Sequence, residues 1–124
     1  MPSKPKVYFF YQNVQISLSN RSGLKKFIES VFRKERKSLA SINYIFVSDN
    51  ALLEINKQFL KHDFYTDIIT FDLSESEDII AEIYISIDRV RDNAKALGIS
   101  FKSEIHRVIF HGALHLCGFG DKTK

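Results

Sequence analysis

The chain contains one cysteine, Cys117, in 124 residues. A single thiol makes no intramolecular disulfide framework and no CxxC zinc or redox motif. No apolar run approaches the ~18 residues of a membrane-spanning helix. The N-terminal stretch MPSKPKVYFFYQNV is broken by Gln12 too early to supply a signal-peptide core. Glycine is scarce, at 5 residues, which excludes a collagen-like repeat. Hydrophobic residues at 44% beside charged residues at 27% exclude wholesale disorder and a coiled coil. There is no internal repeat, low-complexity tract or linker. The expectation is one cytoplasmic domain over residues 1–124, large enough for one core and too short for two.

What is present is unevenly charged. The net charge of +3 splits into +7 over residues 1–40, where the only acids are Glu29 and Glu35, and −4 over residues 41–124. A basic half suggests an anionic partner at one surface. A solvated basic helix face would look the same, and charge alone does not separate the two.

Periodicity supplies the elements. Runs 7–12 and 14–18, rich in aromatic and β-branched residues, read as strands, as do 40–48, 67–73 and 79–86. Leu24, Phe27, Ile28, Val31 and Phe32 recur at helical spacing after a cap at Asn20 or Ser22. Lys25, Lys26, Arg33, Arg36 and Lys37 gather on the opposite face. A short helix follows Ser48 or Asn50. Another begins at Ser86 and stops at Gly98, and a last one runs from Ser100 to Gly118. That last helix is apolar around most of its wheel, the mark of a buried helix. The expected architecture is α+β, with a mixed sheet of about four strands packed on helices and this helix near the centre.

The buried helix carries His111 and His115, four residues apart and so one turn apart on one face. Two imidazoles placed in this way can share a metal ion. Gly118 lets the chain turn back, and Asp121 can then approach as a third ligand. Three protein ligands with one open position is the arrangement of a catalytic zinc. The spacing fits the frame of zinc peptidases, except that Gly112 stands where those enzymes carry their general-base glutamate. Proteolysis is therefore disfavoured. The plain alternative is that both histidines bond to backbone and Asp121 is a solvated tail residue. His106 points to another face, and Cys117 reads as a small buried hydrophobe. Glu104 lies on the ligand face but almost two turns earlier, and reads as a helix-start acid. Glu82 is either a strand surface acid or a residue serving the site. Lys61 and His62 lie in a loop from which they can reach a phosphate.

The string HGALHLCGFGD (111–121) resembles the HGxLHLxGYDH signature of the YbeY family of bacterial rRNA-maturation endoribonucleases. TDIITFDL (66–73), AEIYIS (81–86) and INKQF (55–59) resemble that family's TDVLSF, GDIxIS and LNxxY segments, in the same order and spacing. The resemblance covers residues 45–121. It implies a metal-dependent hydrolase that cleaves single-stranded RNA, with roles in 16S rRNA 3′-end processing on the small ribosomal subunit and in ribosome quality control. It places His111 and His115 on two metal ligands and Asp121 where the family usually has a third histidine, around one divalent ion, zinc by preference. Leu60 stands where an arginine usually follows LNxxY, and Ala81-Glu82 replaces the usual Gly-Asp. The family pattern continues into another helix beyond Asp121, so a clipped C-terminus is expected. The basic face of Lys26, Arg33 and Lys37 would hold RNA by charge, and Phe64 and Tyr65 would stack on unpaired bases. Two other functions fit the same residues: a non-catalytic ribosome-assembly protein with a structural metal, and a metal hydrolase of a small substrate.

Overall fold

The computed structural model describes residues 6–118. Four strands and four helices follow one another along them: β1 (Val7–Tyr11), α1 (Arg21–Lys34), β2 (Ser38–Val47), α2 (Asp49–Leu60), β3 (Ile68–Asp72), β4 (Asp78–Ser86), α3 (Ile87–Leu97) and α4 (Phe101–Leu116). The sheet order is β1-β2-β4-β3. β1, β2 and β4 run parallel, and β3 pairs antiparallel to β4 at one edge. This is the expected α+β fold with a mixed four-stranded sheet.

The helix starts lie where short polar side chains can take up free backbone N–H groups. Asn20, Ser48, Ser86 and Ser100 accept from the N–H groups of Gly23, Ala51, Arg89 and Ser103. Gly98 ends α3 at φ 69°, a left-handed conformation that glycine adopts without strain.

Strand pleating sorts side chains to two faces. On one face Val7, Ile42 and Ala81 are in register across three strands, and so are Phe9, Tyr44 and Ile83. These residues meet Leu24, Ile28 and Phe32 of α1, Val90 of α3, and Ile105, Val108 and Ile109 of α4 in the main core. On the other face α2 covers Ile69, Val47, Phe71 and Tyr84 in a smaller cluster. α4 touches α1, α3, β3 and β4 and is the central helix of its layer. Its buried side runs Glu104, Ile105, Val108, Ile109, Gly112 and Ala113. Leu114 is exposed and Phe110 and Leu116 are half-buried, so the helix rests on one broad stripe.

One expected strand is absent. Residues 14–18 form no ladder. Their alternation is real, since Leu18 is buried and Val14 and Ile16 pack on the core, but packing alone satisfies it without a partner strand. Among the described residues no helix is long and apolar enough to cross a membrane.

Candidate metal centre

The position of α4 is set by contact with the sheet beneath it. The Tyr44 hydroxyl donates to the Ile109 carbonyl at 3.0 Å, tying β2 to the middle of the helix. One turn on, a Cβ on Gly112 would lie 2.8 Å from Ile83 Cδ1 and 3.1 Å from Ile68 Cδ1. The absence of a side chain at 112 therefore lets the helix ride directly on β4 and β3. His111 and His115 flank this contact and open on a cleft of about 430 Å³ at the β3 edge. His111 is exposed and His115 half-buried. Gly112 also lines the cleft, and with no side chain it supplies no base there.

The opposite wall is the loop after α2. Lys61 turns it with φ 60°. Asn56, fully buried, then fixes its course. Its Nδ2 donates to the Phe64 carbonyl at 2.9 Å, and its own carbonyl accepts from the His62 N–H at 3.1 Å. The His62 and Phe64 rings stack at 4.9 Å with planes 21° apart, and both line the cleft together with Leu60.

Behind the histidines is a charged network. The Glu104 side chain has no exposure, and its two oxygens accept from Arg107 Nε at 2.8 Å and Nη2 at 2.6 Å. These bonds hold the Glu104 carboxyl below its ordinary range, against burial, which pushes it up; Asn93 adds to the lowering. Arg107 sits one turn before His111 and also feels Asp67, which lines the cleft and accepts from Asn93 Nδ2 at 3.4 Å. The network thus links the base of α4 to the start of β3.

Of the expected ligands, His111 and His115 lie side by side on one cleft. Asp121 lies outside the described residues. Among the described residues no three His, Cys, Asp or Glu side chains stand close enough to hold a metal ion. Glu82 does not serve the site: it pairs in register with Phe71 and Asn43, on the sheet face away from α4, where the Tyr84 hydroxyl donates to it at 3.3 Å. His106 faces α1, beside Phe27 and Phe110, and burial together with Lys102 holds its imidazole below the ordinary range. Cys117 is buried. Phe64 reaches the cleft. Tyr65 does not: it lies under Arg89, 5.2 Å from ring centre to guanidinium, and bonds to Asn50. Lys26 and Arg33 are on the outer side of α1, and Lys37 follows its end, all away from the cleft. Sequence reasoning missed Asn56, Asp67 and Arg107. The Glu104-x-x-Arg107 spacing in an otherwise apolar helix was the available signal.

Known proteins carry the same arrangement of sequence and fold. The chain is 48% identical over 118 residues to the Endoribonuclease YbeY of Cytophaga hutchinsonii, covering 94% of this chain and 82% of that one. It is 43% identical over 119 residues to the Endoribonuclease YbeY of Porphyromonas gingivalis, covering 96% and 79%. The solution structure of TM1509 from Thermotoga maritima is similar with a TM-score of 0.62 at 30% identity, over 95% of this chain and 76% of that one. Residues 9–124 match the family described as Endoribonuclease YbeY. Matched along almost all of its length, the chain belongs to the YbeY endoribonuclease family.

Proposed function

We propose that the cleft between α4 and the β3 edge is the catalytic site of a metal-dependent endoribonuclease, and that His111, His115 and Asp121 hold one divalent ion there. The observation that carries this reading is the pair of imidazoles, one helical turn apart, opening on a single cleft in a chain of this family. Two nitrogen donors and a carboxylate suit zinc. The exposure of His111 favours a centre that substrate can reach over a closed structural metal. When bound, such an ion supplies an acidified water and polarises a phosphoryl oxygen.

The chain's own residues shape what enters. The exposed Phe64 ring gives an unpaired base a stacking surface on the far wall. His62 beside it presents a ring N–H donor within the cleft, where Leu60 offers none. Arg107, one turn before His111, is tied to Glu104 and steadies α4 behind the cleft. The substrate is single-stranded RNA. In the cell the proposed target is the 3′ region of 16S rRNA on the small ribosomal subunit, with a part in ribosome quality control in the cytoplasm. Residues 1–124 act as one domain.

The test compares wild type with His111→Ala, His115→Ala and Asp121→Ala, measuring bound metal and cleavage of a single-stranded RNA. Loss of both in the histidine variants is expected. Undiminished cleavage by metal-free variants would remove the proposal.

A further inference from the structure

We infer that the outward face of α1 is a second RNA-binding surface, which anchors the phosphate backbone apart from the cleavage cleft. The choice of RNA as partner rests on the ribonuclease reading; the surface itself does not. A concavity of about 660 Å³ at the start of α1 is lined by Arg21, Lys25 and Lys26. A second, of about 180 Å³ at its end, is lined by Lys6, Arg33 and Lys37. Glu29 borders both and is the one acid in either lining, so the two form a single track of six cations.

Lys25 lies over the Tyr8 and Phe9 rings, but no carboxylate among the described residues pairs with any of the six. The ion pairs among the described residues involve Lys57, Arg89 and Arg107. Like charges at this density repel one another and are relieved by an extended anion, with counterions released on binding. The track follows a helix of 14 residues, roughly 20 Å long, which suits a strand of phosphates better than one small anion.

Its position separates it from the cleft. α1 packs over β1 and β2, whereas the histidines open at β3. β1 and β3 are opposite edges of the sheet, three strand spacings or roughly 14 Å apart. One RNA would therefore be held at two segments. The β1 edge adds aromatic surface: Tyr8 and Phe10 are exposed and stacked at 6.4 Å, and Lys25 Nζ lies 6.0 Å from the Tyr8 ring. The exposed Tyr8 ring beside Lys25 suits an unpaired base, and favours a nucleic acid over an acidic peptide or an anionic membrane.

The test is the triple charge reversal Lys26→Glu, Arg33→Glu, Lys37→Glu, with Lys26→Gln, Lys37→Gln as the milder form should the first fail to fold. Binding of a long structured RNA and of a short single-stranded oligonucleotide is measured by fluorescence anisotropy across a salt series, and cleavage of both is followed. The preference for the long RNA is expected to fall about ten-fold, and the salt slope for it by about 2, roughly 0.7 for each lost contact. Equal losses on both RNAs, or an unchanged slope, would overturn the inference. So would displacement of the long RNA by polyglutamate or anionic vesicles as readily as by unlabelled RNA. Should wild type bind the long RNA steeply with salt, lose this on reversal and cleave nothing, the anchoring surface stands and the nuclease reading falls.

Discussion

Gly112 lies so close to Ile83 that a Cβ on it would come within 2.8 Å of the isoleucine Cδ1. Ile68 closes the other side at 3.1 Å. In an exposed helix, Gly→Ala gains about 1 kcal/mol of propensity. Here the methyl must displace two packed side chains, and overpacking costs ~1–3 kcal/mol. Gly112→Ala is expected to lose about 1 kcal/mol net, lowering Tm by roughly 4 °C in thermal unfolding. Gly112→Leu should be far worse and should splay the two histidines from β3. A raised Tm for the alanine variant would show that α4 does not ride on the strands as described.

Asn56 is the joint between α2 and the far wall of the cleft. Asn56→Ala removes the donor to the Phe64 carbonyl, a net loss of about 1 kcal/mol, since the carbonyl can turn to water. The loop carrying His62 and Phe64 then loses its fixed course. A small displacement of binding groups can cost a hundred-fold in rate, so kcat/KM for single-stranded RNA is expected to fall by roughly ten-fold or more. Comparing this loss with the change in unfolding free energy separates positioning from stability. An activity loss no larger than the fraction unfolded explains would defeat the assignment.

The helix caps were legible because they are local: Ser48, Ser86 and Ser100 each act within three residues of themselves. The histidine pair was legible for the same reason, one helical turn being readable from spacing. The stretch 14–18 was not, because alternation reports burial and only a neighbouring strand makes a ladder. Glu82 was left between two roles because its face depends on the parity of the β2–β4 register, which one strand does not contain. Asn56, Asp67 and Arg107 draw their meaning from other elements. The side chain of Asn56 reaches a loop eight residues away, and Asp67 meets Asn93 across 26 positions.

The Glu104–Arg107 pair gives the fold an acid-sensitive element. Its lowered pKa means that the folded state favours the carboxylate. The stabilisation is thus complete above the ordinary glutamate value of 4.5 and is lost as pH falls through the lower folded value. Arg107 is half exposed and can be rehydrated when its partner is gone, so the loss stays below that of a wholly buried pair. Glu104→Gln should cost about 2 kcal/mol at neutral pH. The gap between wild type and variant should narrow as urea unfolding is repeated at successively lower pH below 4.5. A constant gap across that series would mean that packing, not charge, explains the burial of Glu104.

Metal binding should register in stability as well as in chemistry. A ligand that binds only the folded chain stabilises it by about 2.7 kcal/mol at a hundred times its Kd. For a chain of this size that raises Tm by roughly 10 °C. Zinc added to metal-free protein is expected to produce such a shift, and a chelator to reverse it. His111→Ala and His115→Ala should abolish the shift, each leaving only one imidazole of the pair. Asp121→Ala should reduce it and keep part, because the histidine pair stays on its helix turn whether or not the chain folds back after Gly118. If Asp121→Ala retains the full shift, Asp121 is not the third ligand, and two imidazoles with solvent would account for the binding. A shift that survives in both histidine variants would place the ion away from α4 altogether.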